Sequence, residues 1–136
     1  MFWATDAPTD TASCSAFFRS NCHEGSQANT SAMLMSWTLP ANRSTATLLQ
    51  PEVDLASFLL ARGAYAWIGY SWVGCTGSSV PGSGHGAYVL PASTQVDYGS
   101  PQGFCTEASP GVFRREWSRA TVSMDCGTMK PTITMK

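Results

Sequence analysis

The sequence has few charged residues and no long apolar run. Asp, Glu, Lys and Arg make up 12% of its 136 residues, about half of the roughly 25% that is typical of soluble domains. The formal net charge is −1 and the basic residues form no stripe, so neither nucleic acid nor an anionic membrane surface is an expected partner. No apolar run approaches the ~18 residues of a membrane-spanning helix. With 43% hydrophobic residues, the chain can still bury the core of one domain.

The usual sequence signatures of metal sites and activated nucleophiles are absent as well. There is no Gly-x-Ser-x-Gly elbow of a serine hydrolase and no His-Glu-x-x-His of a metalloprotease. The two histidines, His23 and His85, each lie beside a Cys-rich or Gly-rich stretch, so we expect no histidine-rich metal site and predict no cofactor. Cys75 and His85 would be the components of a nucleophile pair, but nothing in the sequence marks the Cys75 thiol as activated.

Other features are typical of secreted chains, although the first ten residues, MFWATDAPTD, do not have the pattern of a signal peptide. N-glycosylation sequons begin at Asn29 and Asn42. Five cysteines lie among Ser, Thr, Gly and Pro, namely Cys14, Cys22, Cys75, Cys105 and Cys126. We therefore predict a secreted or extracellular glycoprotein, and expect this chain to be the C-terminal part of a longer secreted protein. The alternative is a cytosolic protein with free thiols.

The cysteine spacing predicts one local disulfide. Seven residues separate Cys14 from Cys22, which is enough to close a surface loop. The surrounding segment 6–32 is polar and is expected to be a loop. One of Cys75, Cys105 and Cys126 must then stay unpaired within the chain.

The stretch 50–75 predicts a helix followed directly by a strand. Pro51 suits the first helical position, and Glu52 and Asp54 suit the first turn, where the helix dipole favours anions. Apolar residues follow at helical spacing, the basic Arg62 lies in the last turn and Gly63 follows as a stop signal, so we predict a helix over 51–62. Residues 64–73 are aromatic and apolar with almost no charge, which is typical of a strand buried on both faces.

Two earlier apolar runs, 1–5 and 32–39, are also strand-like. Strand, helix and strand over 32–73 form a βαβ unit, so we expect parallel pairing between 32–37 and 64–72. The loops after these strands would share one edge of the sheet, where α/β folds place their active sites. An antiparallel hairpin is predicted over 112–126, and residues 128–136 are expected to fray.

Three segments carry a resemblance to a family of glycoside hydrolase-like proteins with TIM-barrel architecture. The segments are FLLARGAYAWIGYSW, VDYGSPQG and GVFRREWSRATVSMDC. They resemble a late barrel helix and strand, an Asp-[Tyr/Leu]-Gly-x-Pro-x-Gly loop and a closing Arg-Glu-[Trp/Phe]-x-x-[Ala/Gly]-x-Val hairpin, over about residues 54–126. A complete barrel needs ~250 residues. The resemblance therefore implies an α/β fold with a partial (β/α) barrel-like parallel sheet and a C-terminal antiparallel hairpin. Residues 1–126 would be a single domain, the C-terminal portion of a larger barrel, with 127–136 as a tail.

Asp6 is the candidate catalytic residue, because it directly follows a predicted buried strand. Glycoside hydrolysis usually needs two carboxyl groups across the scissile bond, and no second one stands out beside Asp6. Asp97 is expected to open a turn and bond its own backbone, and Glu116 to pair with a neighbouring arginine. The chain alone is therefore not expected to be catalytically complete.

Aromatic residues near the predicted strand ends are the candidate substrate-binding residues. They are Trp3, Trp37, Tyr70 and Trp72. Aromatic rings stack on the apolar faces of sugars, and their N–H and O–H groups reach hydroxyls. Ordinary core packing is the alternative for each, and for Trp67 and Phe58 we expect core packing.

Two functions follow as hypotheses. The first is a glycoside hydrolase-like C-terminal fragment of a carbohydrate-active protein, whose expected partners are a poly- or oligosaccharide and the missing N-terminal part of its own barrel. The second is a secreted, disulfide-stabilised carbohydrate-binding module.

Overall fold

A computed structural model gives the structure of residues 2–8, 10–23, 31–36, 51–70 and 92–136. The elements along these residues are, in chain order, β1 (Phe2–Asp6), α1 (Thr11–Asn21), β2 (Ser31–Ser36), α2 (Pro51–Ala61), β3 (Ala66–Tyr70), a 3₁₀ turn (Ala92–Gln95), β4 (Thr106–Ser109), β5 (Val112–Glu116), β6 (Ala120–Asp125) and β7 (Lys130–Met135).

The larger sheet contains four antiparallel strands in the order β4-β5-β6-β7. At its centre is the predicted C-terminal hairpin, in which Phe113 lies opposite Met124 and Arg115 opposite Val122. Alternate residues of β6, beginning with Ala120, are buried, as expected for a strand with one covered face. The buried side chains of this face form one side of the hydrophobic core.

Strand β7 occupies part of the segment that was expected to fray. It pairs with β6 along its whole length, from Lys130 opposite Asp125 to Met135 opposite Ala120. Pro131 weakens the sequence signal for a strand, because proline donates no hydrogen bond to a sheet. It is tolerated here because β7 is an edge strand.

Helix α1 lies within the region that was expected to be a polar loop. The Asp10 carboxylate caps its N-terminus, accepting the backbone N–H of Ser13 at 2.8 Å. Cys14 and Phe18, one turn apart, are fully buried. The Phe18 ring stacks on Phe113 of β5, with 5.0 Å between the ring centroids. Helix α1 therefore packs on the covered face of the antiparallel sheet.

The predicted disulfide between Cys14 and Cys22 is wrong. Cys14 is bonded to Cys126, directly after β6, and Cys22 to Cys105, directly before β4, with Cα–Cα distances of 5.4 and 4.8 Å. Because Cys14 lies within α1 and Cys22 caps its end, the helical rise separates them by roughly 12 Å. A disulfide spans only about 4.4–6.8 Å between Cα atoms. The fifth cysteine, Cys75, lies outside the described residues.

Helix α2 agrees to within a residue with the helix predicted over 51–62. It contacts β5, β6 and β7 of the antiparallel sheet as well as β2. Residues 53–57 and 59–61 are all buried, so the helix is covered on nearly every side. Such all-round burial is expected for a helix that lies between two layers.

Strands β1, β2 and β3 form a separate three-stranded sheet in that order. Both pairs are parallel: Asp6 of β1 lies opposite Met35 of β2, and Ser36 of β2 lies opposite Tyr70 of β3. The connections from β1 to β2 and from β2 to β3 contain α1 and α2.

The predicted fold class, an α/β partial barrel, is wrong. The core of the described residues is built on a four-stranded antiparallel sheet and two helices, which makes the fold a small α+β structure. The described strands show no barrel-like arrangement. The expectation failed because the sequence after residue 92 was interpreted as one terminal hairpin, whereas β4 and β7 extend that hairpin on both sides.

Candidate functional site

The predicted carboxylate and one predicted aromatic residue lie at the same edge of the three-stranded sheet. Asp6 is the last residue of β1 and Tyr70 is the last residue of β3. Their partners in β2, Met35 and Ser36, are consecutive. Trp3 lies three residues before Asp6, which is roughly 10 Å along a strand. Asp6 and Tyr70 thus lie at the same end of the sheet, but β2 lies between them and separates their backbones by roughly 10 Å as well.

Two of the predicted substrate-binding residues, Trp37 and Trp72, lie outside the described residues, and so do the sequons at Asn29 and Asn42. The convergence of Trp3, Asp6, Trp37, Tyr70 and Trp72 on one concavity therefore stays a prediction.

Two other aromatic residues, at and just before the start of β3, are exposed. Tyr65, in the bend directly before the strand, retains 71% of its accessible surface, and Trp67, the second residue of the strand, retains 53%. Among the described strands, β3 is at one edge of its sheet. We call Tyr65 and Trp67 the aromatic pair. The expectation that Trp67 belongs to the core is wrong, whereas Phe58 does pack against the core, partly buried.

The exposure of the aromatic pair has a sequence signal that was missed. Residues 65–68 alternate between exposed and half-buried, so Ala66 and Ile68 lie on one side and the two large amphipathic rings on the other. The run was interpreted as buried on both faces because every residue in it is apolar or aromatic. The alternation of small or aliphatic residues with Tyr and Trp was the more informative pattern.

A cavity of about 230 Å³ lies between α2, β3, the segment 94–99 and Trp117. Its wall includes Phe58 and Arg62 at the end of α2, Ile68 of β3, and Asp97. We call it the Trp117 cavity. A second cavity of about 260 Å³, on the side of β7, shares three lining residues with it. Because Ile68 and Trp67 are neighbours in a strand, the Trp117 cavity and the aromatic pair lie on opposite sides of β3.

The loop after the 3₁₀ turn and the turn between β5 and β6 bind each other. Arg119 N–H donates to the carbonyl of Tyr98 at 3.2 Å, and Ser118 N–H donates to the carbonyl of Ser100 at 2.8 Å. The side chains reinforce this pairing, because Arg119 Nη1 lies 2.6 Å from Asp97 Oδ2. Asp97 Oδ1 also accepts Gly99 N–H at 2.9 Å, so the predicted turn-opening role of Asp97 is confirmed. The two segments DYGSPQG and REWSRA thus form one structural unit.

Arg115 joins this unit to α2. Only 4% of Arg115 is exposed, and its Nη1 donates to the carbonyls of Leu59, Leu60 and Arg62 at 3.3, 3.3 and 2.6 Å. Leu59 and Leu60 lie in the last turn of α2 and Arg62 follows that helix directly, so the guanidinium acts at the C-terminal end of the helix. Burial, and then the charge of Arg62, lower the pKa of Arg115 to about 10. The side chain therefore remains a cation at neutral pH and caps the negative end of the helix dipole.

Three of the described carboxylates have a lowered pKa. For Glu116 the hydrogen bonds from Lys136, Arg114 and Thr121 lower the pKa to about 2, and the predicted pairing of Glu116 with an arginine is confirmed at 2.7 Å. The hydrogen bond from Arg19 lowers the pKa of Glu107. The backbone N–H of Ser13, at the N-terminus of α1, lowers the pKa of Asp10. These three groups are ionised at neutral pH and serve as structural acceptors.

No protein-family model matches this chain, and no curated protein matches it significantly. The resemblance to glycoside hydrolase-like proteins therefore rests on the three quoted segments. Neither helix within the described ranges is long and apolar enough to cross a membrane. In the part of the chain that the structure describes, no three His, Cys, Asp or Glu side chains are grouped as a metal site would need.

Proposed function

We propose that this protein is a secreted, disulfide-stabilised carbohydrate-binding domain that binds a glycan surface through Tyr65 and Trp67. The observation that carries the proposal is the exposure of both rings, two residues apart where the chain enters β3. Aromatic side chains of this kind are amphipathic, with an apolar face that covers the C–H groups of a sugar and an O–H or N–H group that reaches its hydroxyls.

Three of the described carboxylates, Glu116, Glu107 and Asp10, do not have the properties of a glycosidase acid. A glycosidase needs one carboxylic acid with a raised pKa that protonates the leaving oxygen. The shifts at Glu116, Glu107 and Asp10 run in the opposite direction. Each of these groups already accepts hydrogen bonds from the protein's own side chains or backbone.

The disulfides support export from the cytoplasm. Cys14–Cys126 and Cys22–Cys105 join residues that are 112 and 83 positions apart, and such bonds persist in oxidising compartments. Both bonds hold α1 on the antiparallel sheet, so they stabilise the domain without using either residue of the aromatic pair.

The test is a titration of soluble oligosaccharides, with cellohexaose, chitohexaose and xylohexaose as probes. The indole N–H of Trp67 is followed by NMR and assigned through its loss in Trp67→Phe. We expect the ligand that binds to shift this signal. Tyr65→Ala and Trp67→Ala should each weaken binding about tenfold, as the loss of roughly 1.5 kcal/mol per stacked ring implies.

Phe104→Ala is the matched control, because Phe104 is another exposed aromatic residue outside the pair. It should leave the affinity unchanged. Binding that survives the double substitution Tyr65→Ala/Trp67→Ala would refute the proposed surface, and the absence of binding to a broad glycan panel would refute the proposed function.

The second candidate is the glycoside hydrolase-like fragment, with Asp6 as its carboxylate. It is favoured by the common edge of Asp6 and Tyr70 and by the direct pairing of the two segments that carry the resemblance. On this hypothesis Trp37 and Trp72 contribute to binding, so Trp37→Ala/Trp72→Ala should abolish it while Tyr65→Ala should not. Turnover of an aryl glycoside by this chain, lost in Asp6→Asn, would contradict the expectation that the chain alone is catalytically incomplete.

A further inference from the structure

The Trp117 cavity has a mixed wall that the proposed glycan surface does not use. It lies on the side of β3 opposite to the aromatic pair and has a volume of about 230 Å³. Pockets for drug-sized ligands usually measure ~300–1,000 Å³, so this one suits a smaller molecule. Apolar rings and aliphatic side chains make up much of the wall, and one guanidinium group, that of Arg62, is part of it.

The charge of Arg62 is not neutralised by a carboxylate among the described residues. Its guanidinium carbon lies 5.2 Å from the centre of the Phe58 ring and 5.7 Å from that of Trp117. Its hydrogen bonds are long, 3.3 Å to the carbonyl of Gly63 and 3.5 Å to that of Ala64. Burial lowers the pKa of this arginine, as it does for a cation that lacks an anionic partner.

A second arginine, Arg115, adds positive charge close to Arg62. The guanidinium carbon of Arg115 lies 5.5 Å from the centre of the same Trp117 ring, but Arg115 is neutralised in part by the carbonyls at the end of α2. The carboxylate in the cavity wall, Asp97, forms an ion pair with Arg119 and is therefore not free to neutralise Arg62. A planar guanidinium that retains donor capacity is the group that proteins use most often for carboxylate recognition.

Trp117 forms part of the wall of this cavity. Only 2% of this residue is exposed, and its indole Nε1–H has no hydrogen-bond acceptor within the described part of the chain. The indole is thus held behind the cavity surface, and its N–H signal reports on a ligand bound in front of it.

We propose that the Trp117 cavity binds a small carboxylate-bearing molecule of the size of one hexuronic acid. The ligand carboxylate accepts hydrogen bonds from Arg62, and its apolar face packs against Phe58 and Ile68 in the cavity wall. This site is separate from the aromatic pair. Binding of a glycan at Tyr65 and Trp67 and binding of a uronate in the Trp117 cavity are therefore independent.

The experiment uses three probes that differ in one feature at a time. D-glucuronate has both the ring and the carboxylate, D-glucose has the ring alone, and acetate has the carboxylate alone. Binding is followed at the indole N–H of Trp117, assigned by its loss in Trp117→Phe, and at the indole N–H of Trp67. We expect glucuronate to shift the Trp117 signal and to bind at least tenfold more tightly than either glucose or acetate. The Trp67 signal should not move with this probe.

Arg62→Met should reduce glucuronate affinity at least tenfold, and Arg62→Lys, which keeps the charge without the planar fork, should give a smaller loss. Arg114→Met is the matched control, since Arg114 is an exposed arginine on β5 that pairs with Glu116 outside the cavity. Equal affinity for glucose and glucuronate in the unaltered protein would overturn the proposal without any substitution. An unchanged affinity in Arg62→Met, or a glucuronate titration that leaves the Trp117 signal in place, would overturn it as well.

Discussion

Arg115 Nη1 donates to the backbone carbonyl of Arg62 at 2.6 Å, and through this contact a strand of the sheet caps the end of a helix. The same guanidinium reaches the Gly103 carbonyl through Nε at 2.9 Å. One side chain therefore joins β5, the C-terminal end of α2 and the loop before β4. Its position on the covered face of the sheet, where an apolar residue is usual, is stable because the buried guanidinium donates hydrogen bonds to four backbone carbonyls.

The first prediction concerns this cap. Arg115→Met keeps most of the side-chain volume and removes the hydrogen bonds to the carbonyls of Leu59, Leu60 and Arg62. We expect the free energy of unfolding to fall by about 3 kcal/mol, measured by urea denaturation of the oxidised protein. Arg114→Met, at the exposed neighbouring position, should cost less than about 1 kcal/mol. Equal effects of the two substitutions would contradict the capping role.

Local signals in the sequence were sufficient for several elements. Helix α2 was predicted from Pro51, the acids of its first turn and the stop at Gly63, all of which act within a few residues. Strands β5 and β6 were predicted from the alternation of apolar and polar residues. That alternation reflects burial of one face of the sheet, on which Phe113 and Met124 lie opposite each other. The turn at Asp97 was predicted because an aspartate bonds its own backbone in any context.

Tertiary features were not available from local signals. Disulfide pairing depends on which chain segments meet in space, so Cys14 and Cys22 were joined by proximity in sequence although a helix separates them. That helix was missed although Asp10 is a good N-cap and Cys14, Phe17 and Phe18 have helical spacing. The exposure of Trp67 did have a local signal, the alternation over residues 65–68, but the position of β3 at the edge of the described sheet depends on strand order and has none.

The second prediction concerns the disulfides. Trypsin cleaves after Arg19 and so separates Cys14 from Cys22. Without reduction, we expect peptide 1–19 to be linked to peptide 120–136, and peptide 20–43 to peptide 63–114. A second cleavage before Asp97 assigns the latter bond to Cys105 and not to Cys75. A link between peptides 1–19 and 20–43, detected by mass spectrometry, would instead support the local disulfide.

The third prediction measures what these two bonds contribute. Each closes a loop of more than 80 residues, so chain entropy implies a stabilisation of about 4–5 kcal/mol apiece. Cys14→Ala/Cys126→Ala and Cys22→Ala/Cys105→Ala should each lower the unfolding temperature by well over ten degrees, as read by circular dichroism. Cys75→Ser is the control, because it removes a cysteine that neither bond uses. A larger loss in that control than in the two pairs would contradict the assignment.

The fourth prediction is a dependence of stability on pH. The pKa of Glu116 is lowered from 4.5 to about 2 in the folded protein. The folded state therefore binds this proton less readily than the unfolded chain. Its contribution to stability is present above pH 4.5 and is lost as the pH falls towards 2. Glu116→Gln should lower stability at pH 7 and make the loss between pH 4.5 and 2 shallower.

Salt and a second carboxylate provide the checks on Glu116. Because the cluster of Glu116, Arg114 and Lys136 is partly exposed, the difference between Glu116→Gln and the unaltered protein should shrink in 1 M NaCl. Glu52→Gln removes an exposed carboxylate outside the cluster and should retain the original acid unfolding curve. Parallel curves for Glu116→Gln and the unaltered protein below pH 4.5 would show that this proton is not linked to folding.

The last prediction concerns the close approach of Gly99 to Ser118. Gly99 has a φ of +84°, which side chains rarely adopt, and a Cβ there would collide with Ser118 Oγ. That oxygen accepts the N–H of Ser100 at 2.9 Å, so it cannot move away freely. Gly99→Ala should therefore cost about 2–3 kcal/mol of unfolding free energy and separate the loop from the turn, visible as faster amide exchange at Ser118 and Arg119.

Gly127→Ala is the control, since Gly127 is exposed and is not among the glycines with positive φ, and it should cost less than about 1 kcal/mol. If Gly99→Ala is as well tolerated as Gly127→Ala, the loop and the turn do not pack as tightly as the structure shows.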